Sequence, residues 1–176
     1  MTAPEFSRPL RIDALGEEPR RLKVEAEEME RITLARRFGL IGIERLAADL
    51  ALSRNGDEIA LSGALSAAVT QACAATGEPV EALVETPFEI LFRPAPEADA
   101  CDAEVELCAG ELDVVFYDGG AIDVGEAVAE TLSLSLDPYP RAPGAGQALK
   151  AAGVKSEEEA GPFGALAGLR DQLKGD

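Results

Sequence analysis

Two alternating runs on either side of Asn55-Gly56 constrain the fold more than any other part of this chain. Apolar residues occupy every second position from Leu46 to Leu52, and again along most of the run from Ile59 to Val69. Asn-Gly is favoured in the two-residue type I′ turn that joins antiparallel strands. The pattern therefore predicts a long β-hairpin with one face against a core and the other face in water.

A third alternating run extends from Val80 to Phe92, after the loop from Gln71 to Pro79. Glu81, Glu85 and Glu89 point to the face opposite its apolar residues, so a third long antiparallel strand with a wet face is expected. Shorter strands are predicted over three further stretches, from Arg8 to Leu15, from Arg20 to Ala26 and from Leu112 to Tyr117. The residues from Pro94 to Glu111 have no periodicity and many acids, and predict an exposed loop.

A first helix is predicted from Glu27 to Phe38, ended by Gly39. Its spacing places four residues toward a core, namely Met29, Ile32, Ala35 and Phe38.

A second helix is predicted to begin at Asp123, a good N-cap, with Glu126 placed to close a capping box. It carries an apolar stripe and ends before two prolines, Pro138 and Pro140. Leu132, Leu134 and Leu136 are expected in the core of the protein.

These elements predict an α+β fold, an antiparallel β-sheet or a partly open barrel of long meander strands with two or three packed helices. Alternation alone leaves the strand order open. We expect a single domain over residues 1–140, a flexible linker over 141–161 and a short C-terminal helix over 162–174. Phe163, Leu166 and Leu169 lie on one face of that last helix, which could contact the chain's own body or a partner.

Charge restricts the class of partner. The chain has 33 acidic and 16 basic residues and a formal net charge of -17, which repels phosphate backbones and disfavours tight RNA binding. A basic protein partner fits this charge better. The sequence has no apolar run long enough to span a membrane and no signal-peptide pattern, so we expect a soluble cytoplasmic protein with reduced thiols.

Most catalytic chemistry is excluded because the chain contains no histidine. No Ser-His-Asp or Cys-His unit and no histidine-containing metal site can form. No glycine-rich phosphate loop is present either. Cys73 lies in a loop between strands, where functional residues concentrate, but Thr76 stands where a Cys-x-x-Cys motif would have its second cysteine. We therefore expect no enzyme activity, no metal and no cofactor.

Three segments, in the right order, resemble the YceD family of bacterial large ribosomal RNA subunit accumulation proteins. The first is the strand-loop-strand from Ala67 to Phe92. The second is the helix that begins near Ile122-Asp123, with the leucines and prolines at its C-terminal end. The third is the tail Gly161-Pro162-Phe163-Gly164-Ala165-Leu166-Ala167-Gly168-Leu169-Arg170. The resemblance implies a non-enzymatic factor that supports accumulation of large-subunit (23S) rRNA in ribosome biogenesis.

The same resemblance identifies the loop with Cys73, Thr76 and Gly77 as a candidate functional loop. Relatives often carry a second cysteine at the position of Thr76 and a histidine or cysteine after the proline matching Pro140. Here Arg141 and Ala142 follow Pro140, so the chain retains one of four potential metal ligands.

Combining the resemblance with the charge, we expect the protein to act through ribosomal or rRNA-processing proteins, with direct RNA binding weak or absent. The candidate contacts are Glu81, Glu85 and Glu89 on the strand and Phe163, Leu166 and Leu169 in the tail. Two alternatives remain open. An acidic nucleic-acid mimic that inhibits an RNA-binding enzyme requires carboxylates spaced like phosphates, and a small-ligand-binding β module requires an apolar cavity behind the long strands.

Overall fold

A computed structural model describes residues 4–96 and 113–154. In chain order the strands and helices are β1 (Pro9–Arg11), β2 (Arg20–Glu25), α1 (Glu28–Phe38), β3 (Gly42–Asn55), β4 (Glu58–Ala72), β5 (Pro79–Pro94), β6 (Asp113–Tyr117), β7 (Ala121–Asp123), α2 (Val124–Ser135) and α3 (Ala145–Ala151). A 3-10 turn, Ile12–Ala14, follows β1. One compact unit comprises the chain up to Gln71 together with Glu81–Pro138, and a second comprises Ala72–Val80 with the chain from Tyr139.

The main sheet has five strands in the order β2-β3-β4-β5-β6. β2 and β3 are antiparallel, as are β3 and β4, whereas β6 lies parallel to β5. A second sheet pairs β1 with β7. The predicted α+β class is confirmed, and the main sheet is open rather than closed into a barrel.

The predicted hairpin is present as β3 and β4, which pair from Asn55 and Glu58 at the turn to Gly42 and Thr70 at the far end. Its turn differs from the prediction. Gly56 and Asp57 are the two residues between the strands, and Gly56 has φ 61°. A type I′ turn needs positive φ at both central residues, and no non-glycine residue among those described has it. Glycine alone therefore supplies the left-handed conformation here.

The core lies on one face of the main sheet, where α1 contacts β3 and α2 packs its apolar stripe. Its largest fully buried side chains come from the alternating positions of β3 and β4, from both helices and from the N-terminal segment. They are Phe6, Leu34, Leu46, Leu52, Ile59, Leu61, Leu65, Val69, Val124, Val128 and Leu132. In the hairpin every second side chain is therefore buried, as the alternating sequence pattern predicted.

The inward face of α1 was predicted wrongly at two positions, Met29 and Ile32. Their side chains are 67% and 39% exposed. The helix buries Ala35, as predicted, and in addition Leu34. Both lie one turn after Arg31, whose Nη1 donates to the Ala26 carbonyl at 2.7 Å. That bond and the packing of Leu34 rotate Met29 and Ile32 toward solvent.

The predicted strand from Arg8 to Leu15 is much shorter in the structure. It is limited to β1, which pairs with β7 and not with β2. Immediately afterwards the Ile12 N–H donates to the Gly120 carbonyl at 3.0 Å, and the chain turns. The pairing joins segments more than a hundred residues apart, which no local pattern indicates.

The predicted cap of α2 is confirmed, because the Asp123 carboxylate accepts from the N–H groups of Gly125 and Glu126. Glu126 does not close a capping box: its carboxylate binds the Arg37 guanidinium at 2.6 Å. Leu132 is fully buried and Leu136 packs partly against the core, but Leu134 is 84% exposed, so its assignment to the core was wrong.

The second unit contains α3, which lies within the interval predicted as a linker. This helix was not predicted from the sequence. The predicted terminal helix, with Phe163, Leu166 and Leu169, lies outside the described residues, as does most of the predicted acidic loop. No helix in the described part of the chain is long and apolar enough to cross a membrane.

Candidate functional site

The loop that follows β4 is closed by backbone bonds around Cys73. The Cys73 N–H donates to the Glu78 carbonyl at 2.7 Å, and the Gly77 N–H donates to the Cys73 carbonyl at 2.9 Å. Gly77 has φ 74°, a left-handed conformation that glycine adopts without strain. The three residues predicted as a functional loop, Cys73, Thr76 and Gly77, therefore belong to one tight turn.

The Cys73 side chain is buried, with 3% of its surface exposed, and it packs with Ala142 and Ala145. The Ala142 N–H donates to its sulfur at 3.3 Å, and the Ala74 N–H donates to the Pro140 carbonyl at 2.8 Å. The turn after β4 and the segment after Pro140 thus meet at Cys73.

These contacts change the acidity of the thiol. Donation from the Ala142 N–H, followed by the Thr76 hydroxyl and the N–H groups of Ala75 and Thr76, lowers the pKa of Cys73 to about 6. The Thr76 hydroxyl also lies 3.1 Å from a Glu78 carboxylate oxygen. It has one proton, so it donates either to sulfur or to Glu78 at any moment.

The residues in this loop do not fit a metal ion. Tetrahedral zinc needs four donors, usually thiolate or imidazole. Cys73 provides one thiolate, whereas the position of Thr76 offers a hydroxyl and Ala142 presents a backbone N–H to the sulfur. Among residues 4–96 and 113–154, no cluster of three or more Cys, Asp or Glu side chains could hold a metal.

The second predicted surface is the solvent face of β5. Glu81, Glu85 and Glu89 are all exposed on that face, and none forms an ion pair with another described residue. Successive glutamates are four residues apart, about 13 Å along an extended strand. The three carboxylates therefore form a spaced column and not a compact acidic cluster.

Leu83 lies between Glu81 and Glu85 on the same face and was not predicted as part of this surface. Its side chain is 84% exposed. The sequence did allow this prediction, because side chains two residues apart on a strand point to the same face, and Leu83 is two residues from both Glu81 and Glu85. The column thus offers an apolar side chain between two negative charges.

The profile of the family "Large ribosomal RNA subunit accumulation protein YceD" matches residues 61–170 of the chain. That range includes the Cys73 turn, the β5 column and α2. No curated protein and no solved structure matches the chain. Because the match covers well over half of the chain and includes both motifs that the structure brings together, this protein belongs to the YceD family of large ribosomal RNA subunit accumulation proteins.

Proposed function

We propose that the protein is a non-enzymatic factor in ribosome biogenesis that supports accumulation of 23S rRNA by binding proteins in the bacterial cytoplasm. The family match over residues 61–170 is the observation that carries this proposal, since the family name itself refers to large-subunit RNA. The absence of histidine from the chain agrees with a role that does not involve catalysis.

Charge supports protein contacts over direct RNA contacts. A net charge of -17 opposes approach to a phosphate backbone, but it attracts basic proteins such as those of the ribosome or of rRNA processing. The exposed column of Glu81, Glu85 and Glu89, with Leu83 between the first two, supplies charge together with an apolar contact. The tail residues Phe163, Leu166 and Leu169 remain a second candidate contact.

The structure favours neither alternative function. Carboxylates about 13 Å apart on β5 are much more widely spaced than the phosphates of one nucleic-acid strand, which follow one another every 3.4 Å or so along the axis. Behind the long strands, where a ligand-binding module would need a cavity, Leu46, Leu61 and Leu65 are almost fully buried in the core.

The proposal is tested by complementation in cells depleted of the protein, with the ratio of 23S to 16S rRNA as the readout. Wild-type protein should restore the ratio, and the double variant Glu81→Lys/Glu85→Lys should restore it poorly. Glu17→Lys/Glu18→Lys is the matched control, because it makes the same charge change at two exposed residues away from the column.

Two outcomes would count against the proposal. One is equal complementation by the two double variants, which would show that the glutamates of the β5 column are not needed for rRNA accumulation. The other is tight binding of the purified protein to naked 23S rRNA at about 0.15 M salt, where exposed charges are already strongly screened. Recovery of ribosomal or processing proteins with the tagged chain should resist RNase.

A further inference from the structure

Helix α1 presents apolar side chains to solvent at two positions that were predicted to face the core. Met29 is 67% exposed and Ile32 is 39% exposed. They lie on one side of the helix, because residues three apart are neighbours on a helix surface. Ile41, just after the helix, is 55% exposed, and with Ile32 it lines a cleft of about 240 Å³ between α1 and the start of β3. We call these three side chains the α1 patch.

The backbone that carries Ile41 is held in place by hydrogen bonds. Gly39 ends α1 with φ 67°, and the Leu40 N–H donates to the Ala35 carbonyl at 2.8 Å. The Ile41 N–H donates to the Thr70 carbonyl of β4, also at 2.8 Å. The α1 patch is therefore preformed, and a partner that covers it does not first have to order the chain.

The charges around the α1 patch are balanced, unlike those of the whole chain. Arg31, Arg36 and Glu44 line the cleft. Glu28 lies at the start of α1, four residues before Ile32. Two basic and two acidic side chains thus surround the patch, in a chain with a net charge of -17. This surface therefore does not favour a strongly basic partner, in contrast to the β5 column.

Glu28 and Arg36 are placed symmetrically about Ile32 on the same side of α1. Each lies four residues from Ile32, and the two are about 12 Å apart along the helix axis. Neither side chain forms an ion pair with another described residue. When two copies of this helix pack antiparallel about Ile32, Glu28 of each copy meets Arg36 of the other, and the apolar side chains lie between two ion pairs.

We propose that the protein forms a symmetric dimer in which α1 packs antiparallel against α1 of a second copy, with Ile32 close to the two-fold axis. A two-fold axis uses the same surface of both copies, so that surface must be complementary to itself. The balanced charges and their spacing about Ile32 meet this requirement. The inference does not depend on the proposed function, because α1 lies before the segment that matches the family.

The dimer should be weak. α1 has 11 residues and is about 17 Å long, so we expect it to bury less than the roughly 800 Å² per partner of a typical stable interface. In addition, two copies that each carry a net charge of -17 repel one another. The expected dissociation constant is on the order of tens of micromolar at about 0.15 M salt, where that repulsion is largely screened.

Sedimentation equilibrium of the full chain, over a roughly hundredfold range of concentration around that value, measures the dimer. Ile32→Asp should weaken it at least about tenfold, because two carboxylates then meet near the two-fold axis. Leu134→Asp is the matched control. It makes the same charge change at a leucine of α2 that is 84% exposed, and it should leave the dissociation constant nearly unchanged.

A charge exchange tests the orientation of the two helices. Glu28→Arg and Arg36→Glu should each weaken the homodimer roughly tenfold, because like charges then meet at both ends of the interface. An equimolar mixture of the two variants should associate about as well as wild type, as a heterodimer, since both like-charge contacts become ion pairs. Thermal melts confirm that each variant folds, which is expected because both positions are exposed.

A wild-type chain that stays monomeric over the whole range overturns the inference, whatever else then covers the α1 patch. Equal weakening by Ile32→Asp and Leu134→Asp also overturns it, since association would then follow net charge alone. If the mixture of the two charge variants associates no better than either variant by itself, the helices do not pack antiparallel about Ile32 and the proposed interface is wrong.

Discussion

Gly125 and Phe6 pack backbone against backbone: a Cβ atom on Gly125 would overlap the carbonyl oxygen of Phe6. The N-terminal segment therefore lies directly against the first turn of α2, and Phe6 itself is fully buried. The close approach requires glycine because the neighbouring atom belongs to the backbone and cannot move aside as a side chain would.

Gly125→Ala should lower the free energy of unfolding by about 2 kcal/mol or more, because the N-terminal segment must shift. Chemical denaturation measures this. Gly146→Ala is the matched control: it lies in α3 with open space around it, so alanine should be neutral or slightly stabilising there. If the Gly125→Ala variant is as stable as wild type, the N-terminal segment around Phe6 can move away from α2 at little cost in free energy.

Asp123 connects the same two segments through its carboxylate, which accepts from the Ser7 hydroxyl and the Arg8 N–H as well as from the first turn of α2. Asp123→Ala should cost about 1–3 kcal/mol, since a helix cap and other hydrogen bonds are lost together. Ser7→Ala removes one of these bonds and should cost clearly less. Equal melting temperatures for the two variants would contradict the assignment of Asp123 as the central acceptor.

The Arg8 guanidinium donates to both carboxylate oxygens of Glu30, at 2.6 and 2.8 Å, and holds the pKa of Glu30 below its ordinary value of 4.5. The folded state therefore binds protons on Glu30 less readily than the unfolded state. This contribution to stability is present above about pH 4.5 and is lost as the pH falls through the lowered pKa.

Glu30→Gln should accordingly cost about 1 kcal/mol near neutral pH and progressively less in acid. Urea unfolding at a series of pH values provides the measurement. Asp13→Asn, in the exposed pair of Asp13 with Arg11, should show a weaker dependence on pH. A cost of Glu30→Gln that does not change with pH would exclude the ionised pair as its cause.

Leu132 and Leu134 test the corrected orientation of α2. Leu132→Ala should cost about 2–5 kcal/mol because the side chain is fully buried, whereas Leu134→Ala should change stability by less than about 0.5 kcal/mol. Denaturation curves for the two variants under the same conditions distinguish these values. A comparable cost at both positions would restore the prediction that both leucines are buried in this chain.

The Cys73 thiol should titrate near pH 6 in the folded protein and near the ordinary value of 9.0 in urea. Thiolate absorbance in the ultraviolet measures this, in a background with Cys101→Ser and Cys108→Ser. Thr76→Val should raise the midpoint, because one donor to the sulfur is lost.

Thr70→Val is the control for that measurement. Its hydroxyl donates to Glu44 and not to Cys73. If Thr76→Val leaves the midpoint unchanged, then the Thr76 hydroxyl donates to Glu78 in solution.

Strand periodicity predicted β3, β4 and β5 well, because alternation fixes at once which side chains face the core. Leu46, Leu52 and Ile59 are buried as that pattern requires. The face of α1 was harder to predict, since Met29, Ile32 and Leu34 offer two overlapping apolar stripes. Only the packing partner decides between them.

The position of the candidate site could be predicted from the sequence, but the acidity of its thiol could not. The loop position of Cys73 indicated where to look, whereas its low pKa depends on the Ala142 N–H, and a backbone donor has no signature in the sequence.

The family segment begins at Leu61, within β4, whose hydrogen-bonded neighbour β3 lies entirely before it. Phe6 and Leu34, both fully buried, also come from outside that segment. A chain cut at the limit of recognisable similarity would therefore leave β4 with an open edge and half of its core uncovered. In this protein the segment that matches the family is smaller than the unit that folds, because the core and the pairing of β4 both need the N-terminal third of the chain.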